Sequence, residues 1–277
     1  MFRLNSLFLI FLLLAQSLRS QEDICIGRPQ VLTSEVLGEE RTCWVHLPDG
    51  YGAEGISQRY PVLYLLDGEA FFHVMVGISR TLSTTKGKHL PPCIIVGILS
   101  KDRTHDFTPT ASCFGRDGKV QPGVVPQGGG SEAFFHFLTD ELRPYIDSLY
   151  HTNGQNMLVG HSYAGLFTLD VFLRHAGSFD VYLALDPSLW WDNGRLAREA
   201  TTLISKQDYT GKRLYIGIAS KKRTDRVDIH LTTVNRFLAS LSQVPNLQFY
   251  HKSFPDENHG SVSIPGFYDG IKQLFAQ

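Results

Sequence analysis

Residues 157–165 of this chain are Met-Leu-Val-Gly-His-Ser-Tyr-Ala-Gly. A short apolar run ends at Gly160, small residues surround Ser162, and a helical pattern of apolar residues begins directly afterwards. This order predicts a strand, a sharp turn and a helix, with the serine exposed at the turn. A serine hydroxyl is a weak nucleophile unless a base lies beside it. We therefore predict that Ser162 is a nucleophile, and the alternative is a serine that caps a helix.

Apolar runs typical of buried strands alternate with helical patterns along the chain. The predicted strands are residues 40–47, 60–66, 93–99, 155–159, 181–185, 214–218 and 247–254. The predicted helices are residues 69–82, 131–150, 164–175, 194–205, 227–241 and 267–275. Such alternation predicts an α/β fold with a mostly parallel, twisted sheet and helices on both faces. Ligands bind at the carboxyl ends of the strands in these sheets, and Ser162 follows one of those ends.

His259 is the predicted general base. Among the eleven histidines it alone lies in a turn-rich loop after the last predicted strand. A base has to lie within hydrogen-bond reach of the hydroxyl that it deprotonates. Serine first and histidine last is the chain order of the α/β-hydrolase fold, which is the fold class we predict. His161, beside the nucleophile, is predicted to be a packing residue.

The sequence offers several carboxylates that could orient His259. Its usual place is the loop after the penultimate strand, which offers Asp225 and then Asp228. Asp186, at the end of the predicted strand 181–185, is a rival. We predict Asp225 first and keep Asp186 and Asp228 as alternatives.

Backbone groups and aromatic side chains complete the predicted site. Two N–H groups have to face the oxyanion of an acyl-transfer reaction. Tyr163 follows the nucleophile, and Glu69 lies in the turn after the predicted strand 60–66, so we expect these two to form the oxyanion hole. Trp190 and Trp191 follow another strand end, where they form either a pocket wall or part of the core. The loop at residues 101–130, rich in Gly and Pro, is predicted to border the substrate cleft.

Composition sets the domain count and excludes some partners. Residues 1–20 have a basic start, a short apolar run and small residues near a cut site, which predicts a signal peptide and a secreted or periplasmic protein; the alternative is an uncleaved anchor. Residues 21–277 then form a single domain.

The formal charge of −1, with no clustered basic face, argues against nucleic-acid binding. No membrane association is expected after signal cleavage.

Four cysteines follow the predicted signal peptide, namely Cys25, Cys43, Cys93 and Cys113. In an exported chain they allow two disulfides with three connectivities, so the sequence leaves open whether any disulfide forms. Their spacing is unlike that of zinc sites. We expect no metal and no cofactor.

Six motifs together resemble the esterase branch of the α/β-hydrolases that contains enterochelin (siderophore) esterases and S-formylglutathione hydrolase. They are LLDGE at 65–69, RTHDFTP at 103–109, GGSEAFFHFLTDELRPYI at 129–146, GHSYAGL at 160–166, DPSLWW at 186–191 and ENHGSV at 257–262. The resemblance covers about residues 40–275. It implies catalytic roles for Ser162 and His259, and an oxyanion hole at Glu69 and Tyr163. It also implies a cleft bordered by residues 103–109, including Arg103, and by the two tryptophans.

The expected function is that of an exported serine esterase acting on a small-molecule ester through an acyl-enzyme, with siderophore-type esters favoured. The same branch includes carbohydrate-linked feruloyl and acetyl esterases and mycolyltransferases, so these substrates and an acyltransferase reaction remain alternatives. A non-catalytic hydrolase-like binding domain is disfavoured because Ser162 and His259 are both present. Oligomeric state is not readable from the sequence.

Overall fold

A computed structural model describes residues 24–53, 57–84, 89–220, 229–242 and 244–276. Its strands are β1 (Arg28–Ser34), β2 (Glu39–His46), β3 (Tyr60–Leu66), β4 (Ile94–Ile98), β5 (Ala111–Ser112), β6 (Gln127–Gly128), β7 (Thr152–His161), β8 (Val181–Leu185), β9 (Arg213–Ala219) and β10 (Gln248–Phe254). Eight of them form one sheet in the order β1-β2-β4-β3-β7-β8-β9-β10. β1, β2 and β4 pair antiparallel, and every pairing from β4 to β10 is parallel.

Helices cover both faces of this sheet. They are α1 (Gly68–Thr84), α2 (Arg103–Phe107), α3 (Ser131–His136), a π-helical segment (Phe137–Leu142), α4 (Arg143–Leu149), α5 (Tyr163–Arg174), a 3-10 turn (Ala176–Ser178), α6 (Trp191–Ile204), α7 (His230–Leu241) and α8 (Ser263–Leu274). α1 and α8 pack on one face, and α5, α6 and α7 contribute to the core on the other. The predicted mostly parallel sheet between two helical layers is confirmed.

The central strands separate two apolar cores. Along β3, Leu63 belongs to the core under α1 and α8, whereas Tyr64 belongs to the core under α5 and α6. All seven residues of β3 are buried, as the unbroken apolar run predicts for a strand covered on both faces. This burial fixes the register of β3, β7 and β8, whose carboxyl ends carry the residues described below.

The loop at residues 101–130 is held to the sheet. It contains α2 and the two-stranded β5–β6 pair, neither of which the sequence pattern predicts. Arg41 of β2 binds Asp106 of α2 through contacts of 2.6 and 3.2 Å, and both side chains are almost fully buried. The guanidinium also lies over the Phe134 ring. Residues 101–130 are therefore held in place by buried contacts and do not form a loose surface loop.

Several sequence expectations concern features away from the sheet. The predicted signal peptide, residues 1–20, lies outside the described residues. All four cysteines are free, so no disulfide forms between them. Among the helices of the described ranges, none has the length and apolarity needed to cross a bilayer. The described residues contain no cluster of three or more His, Cys, Asp or Glu side chains suited to a metal ion.

Candidate active site

Ser162 occupies the predicted turn between β7 and α5. Its φ of 63° and ψ of −119° lie in a region that non-glycine residues rarely adopt. Two glycines permit the close crossing of strand and helix: a Cβ at Gly160 would lie 2.3 Å from the Ala164 carbonyl oxygen, and one at Gly165 would lie 3.0 Å from the Leu185 carbonyl oxygen. Position 165 thus leaves little room for a side chain, while position 164 accepts a methyl group.

The structure brings His259 to Ser162, although 97 positions separate them in the chain. The Oγ of Ser162 lies 2.9 Å from Nε2 of His259, and the hydroxyl donates to that nitrogen. His259 follows β10, and its ring is about two-fifths exposed on the cleft side. A base within hydrogen-bond reach of a strained, accessible serine is the arrangement that activates a hydroxyl for nucleophilic attack.

Asp186 is the carboxylate beside His259. Its Oδ2 lies 2.5 Å from Nδ1 of the histidine, which carries the proton in the tautomer that satisfies both bonds of the ring. Asp186 follows β8 and is only 4% exposed. Burial opposes its ionisation, but hydrogen bonds from His230 and His259 outweigh this effect and hold the pKa of Asp186 well below its usual value.

The first choice of carboxylate from sequence, Asp225, stays a prediction. Asp225 and the alternative Asp228 lie outside the described residues. The place next to Nδ1 of His259 is taken by Asp186, the rival. Asp186 follows β8, one strand before β9 along the chain.

His161 has a contact that the packing interpretation missed. Its Nε2–H group donates to the backbone carbonyl of His259 over 2.8 Å, and the two rings lie 4.6 Å apart. The ring also meets Phe71 edge-on. Burial, followed by the nearby charge of a protonated His259, lowers the pKa of His161 to about 4, so this imidazole stays neutral near pH 7.

The two predicted oxyanion-hole residues stand at helix N-termini. Tyr163 is the first residue of α5, and Glu69 is the second residue of α1. N–H groups of a first helical turn have no partner within the helix and carry the positive end of its dipole. The Glu69 side chain accepts from the Ser100 N–H at 3.1 Å, which ties it to the loop after β4.

Arg103 lies beside the ring of Tyr163. Its guanidinium binds both oxygens of the buried Asp67, at 2.6 and 2.9 Å, and its carbon lies 5.7 Å from the centre of the Tyr163 ring. Ser100 Oγ donates to the same carboxylate at 2.7 Å. The arginine is thus fixed in direction while two-fifths of its side chain stays exposed.

A cavity of about 260 Å³ opens beside Tyr163. Trp190 and Trp191 line it, yet they are only 9% and 7% exposed and pack in the core, so both sequence interpretations of this pair hold. The Trp191 indole N–H donates to the Thr110 carbonyl at 3.0 Å. Arg116 lies 5.3 Å from the Trp190 ring centre. The cavity therefore has aromatic walls and a cationic rim.

Comparison with known proteins places this site in a family. Residues 34–265 match the family model described as "Putative esterase". The chain belongs to this esterase family. Family membership supports its assignment as a carboxylic ester hydrolase, and the α/β-hydrolase fold follows with it.

Several proteins similar to this chain are named as siderophore esterases. The ferri-bacillibactin esterase BesA of Bacillus subtilis is 30% identical to this chain, over 73% of this chain and 74% of the BesA chain. The apo-salmochelin esterase of Escherichia coli is 30% identical over 78% of this chain and 69% of its own. A siderophore enterobactin esterase of Emericella nidulans is 31% identical, and this match spans about half of each chain, 52% and 51%.

Solved structures agree with the family assignment. An IroE-like serine hydrolase from Shewanella oneidensis superposes with a TM-score of 0.82 at 35% identity, covering 90% of this chain and 80% of that one. The BES protein from Bacillus cereus gives a TM-score of 0.78 at 25% identity over 94% and 99% of the two chains. Each of these two superpositions covers nine-tenths or more of this chain.

Proposed function

We propose that this protein is a serine esterase that hydrolyses small-molecule carboxylic esters through an acyl-enzyme, with siderophore esters as its substrates. The observation that carries the reaction is the unbroken chain of contacts from Ser162 Oγ through the His259 ring to Asp186. The relatives named as siderophore esterases support the substrate class.

In the acylation half of the reaction, Ser162 Oγ attacks the ester carbonyl carbon while its proton moves to Nε2 of His259. The carbonyl electron pair moves onto oxygen, where the N–H groups of Tyr163 and Glu69 stabilise the negative charge; one such donor is worth about 3–4 kcal/mol. Asp186 stabilises the imidazolium without taking its proton. Collapse of the intermediate breaks the ester C–O bond, and the imidazolium protonates the departing alcohol.

In the deacylation half, a water molecule takes the place of the alcohol. His259 accepts a proton from the water, whose oxygen attacks the acyl carbon. The bond to Ser162 Oγ then breaks, and the imidazolium returns its proton to the serine. The products are one carboxylic acid and one alcohol, and no external cofactor enters this balance.

The walls of the cleft suit an extended aromatic substrate that carries negative charge. Tyr163, Trp190 and Trp191 offer ring surface, and Arg103 and Arg116 place guanidinium groups against two of these rings. An aromatic group can stack on such a surface while the guanidinium groups attract its anionic oxygens. A feruloyl ester is the alternative substrate, because an endo-1,4-β-xylanase/feruloyl esterase of Xylanibacter ruminicola is 33% identical over 57% of this chain and 21% of its own chain.

A hydrolysis panel tests both parts of the proposal. The protein is supplied with siderophore esters, a feruloylated sugar, an acetylated sugar and a thioester, and acids and alcohols are quantified by mass spectrometry. We expect the siderophore esters to have the highest kcat/KM, with no turnover by Ser162→Ala. A higher kcat/KM for the feruloyl ester would contradict siderophore esters as the substrates, while the serine mechanism would stand.

A primary alcohol added to the same assay tests the nature of the acyl acceptor. If water is the acceptor, acid formation dominates at low alcohol concentration, and ester products appear only when alcohol competes with water by mass action. If ester products dominate at low alcohol, the protein is an acyltransferase. Turnover that survives Ser162→Ala would reject the serine mechanism itself.

A further inference from the structure

Asp186 is held from two sides, and only one of them is the predicted catalytic histidine. Its outer oxygen, Oδ2, accepts from His259, while its inner oxygen, Oδ1, lies 3.1 Å from Nε2 of His230. The Ala219 N–H donates to the same Oδ1, also at 3.1 Å. One buried carboxylate thus lies between two imidazoles.

His230 reaches Asp186 from an unusual direction. It is the first residue of α7, the helix that follows β9, so it arises where α/β-hydrolases usually place their triad acid. In this chain the proposed acid, Asp186, follows β8, and the imidazole of His230 at the start of α7 contacts its carboxylate. The His230 side chain is only 7% exposed.

Contacts around His230 fix its position. The preceding residue, Ile229, donates its N–H to the Arg116 carbonyl at 2.9 Å. The hydroxyl of Thr233, one turn later, donates to the His230 carbonyl at 2.7 Å. Thr233 packs against Gly194 of α6, where a Cβ would lie 2.4 Å from its methyl carbon. The imidazole is therefore anchored by α6 and by the wall of the cavity.

The two donors on Oδ1 determine how the carboxylate is rotated. A carboxylate held at one oxygen by a single N–H can turn about its bond to Cβ. Donors from two different elements, Ala219 and His230, define the carboxylate plane and leave Oδ2 directed at His259. A buried oxygen that loses a hydrogen-bond donor is left unsatisfied, at a cost in free energy. Rotation of the carboxylate toward another donor would lower this cost.

We propose that His230 is a positioning residue of the active site, which holds Oδ1 of Asp186 so that Oδ2 meets Nδ1 of His259. This inference rests on the proposed serine esterase mechanism. His230 touches no substrate atom, and its effect passes through Asp186. Because Ala219 still binds Oδ1 when His230 is replaced, the effect should be smaller than loss of the carboxylate function, which lowers kcat about 10⁴-fold in a well-studied triad.

Two substitutions test the proposal. His230→Leu removes the donor and keeps an apolar side chain, whereas His230→Gln keeps an amide N–H near the former Nε2. We expect His230→Leu to lower kcat by about 10–100-fold, by analogy with residues that hydrogen-bond to the ligands of a metal and orient them. KM should change less than twofold, and His230→Gln should recover most of kcat. Fluorophosphonate titration corrects each rate for the concentration of active sites.

A spectroscopic measurement makes the test independent of turnover. The proton between His259 Nδ1 and Asp186 should give a far-downfield proton NMR resonance. This resonance should be lost or shifted in His230→Leu and preserved in His230→Gln, since only the former frees the carboxylate. If His230→Leu does not fold, His230→Asn, whose amide is too short to reach Oδ1, takes its place.

The outcomes separate the two proposals. Wild-type kcat and an unchanged resonance in the donor-free variant would overturn the positioning role. Equal losses in the leucine and glutamine variants would do the same, because they would indicate a packing role only. A wild-type protein that neither hydrolyses esters nor reacts with fluorophosphonate would reject the serine mechanism, while the resonance would still report on His230.

Discussion

The side chain of His161 and the backbone of His259 are joined by a hydrogen bond of 2.8 Å from Nε2–H to the carbonyl oxygen. His161 directly precedes the candidate nucleophile, and His259 is the candidate base, so this bond links their two loops. The donor is an imidazole that carries a proton on Nε2. Burial keeps it neutral by lowering the pKa of His161 to about 4.

This lowered pKa predicts a loss of stability in acid. Between about pH 6.5 and pH 4 the unfolded chain binds a proton at His161 that the folded protein does not bind. The free energy of unfolding should fall as the pH falls through this window, by about 3 kcal/mol at most, at about 1.4 kcal/mol for each pKa unit. Urea denaturation at pH 7.5, 6, 5 and 4 measures the loss (a series chosen to span about this window). His161→Gln keeps a donor but cannot titrate, so its pH dependence should be shallower; an identical pH dependence would contradict the assignment.

Ser162→Ala should abolish ester hydrolysis. Loss of the nucleophile lowers kcat by about 10⁶-fold in a well-studied triad enzyme. Hydrolysis of a p-nitrophenyl ester and labelling by a fluorophosphonate measure the effect. Ser188→Ala is the matched control, because Ser188 Oγ lies 3.4 Å from Ser162 Oγ but outside the contact with His259. Fluorophosphonate labelling that is lost in Ser188→Ala and retained in Ser162→Ala would reject Ser162 as the nucleophile.

Asp186→Asn should lower kcat by about 10⁴-fold, since an amide beside Nδ1 favours the wrong tautomer of His259. Asp225→Asn, the matched change at the carboxylate first chosen from sequence, should leave kcat unchanged. Steady-state kinetics on one short ester decides between them. The reverse pattern would mean that the contact between Asp186 and His259 is not the one used in catalysis.

The sequence predicts the sheet because burial dictates its pattern. β3 and β8 have the predicted limits, since an apolar run buried on both faces ends where the chain leaves the core. Ser162 and His259 are predictable for a related reason, because each follows a strand end at the same edge of the sheet.

Other features depend on distances that a sequence pattern does not contain. Asp186 and Asp225 both follow predicted strands in the sequence, and only the folded chain shows that Oδ2 of Asp186 lies 2.5 Å from Nδ1 of His259. The bond from His161 depends on the left-handed turn at Ser162, which directs the neighbouring side chain. α2 is too short for a recognisable period, and its position depends on the buried contact with Arg41.

Asp106→Asn should destabilise the protein strongly. The exchange removes the buried counter-charge of the Arg41 guanidinium and leaves only the partly exposed carboxylate of Glu39, which lies 2.5 Å away. Breaking a buried pair costs about 3–5 kcal/mol, and the remaining contact with Glu39 should place this loss toward the lower end of that range. Asp106 is 1% exposed and Arg41 is 4% exposed, so water cannot replace the lost contact. Thermal and urea unfolding measure the change.

Asp49→Asn provides the matched control for this pair. Asp49 binds Arg80 at 3.2 Å, but the two side chains are 60% and 57% exposed, and such surface pairs contribute about 0–1 kcal/mol. A similar loss in both variants would contradict the role of burial. Because α2 also carries Arg103, Asp106→Asn should raise KM for siderophore esters in the fraction that remains folded, whereas Asp49→Asn should not.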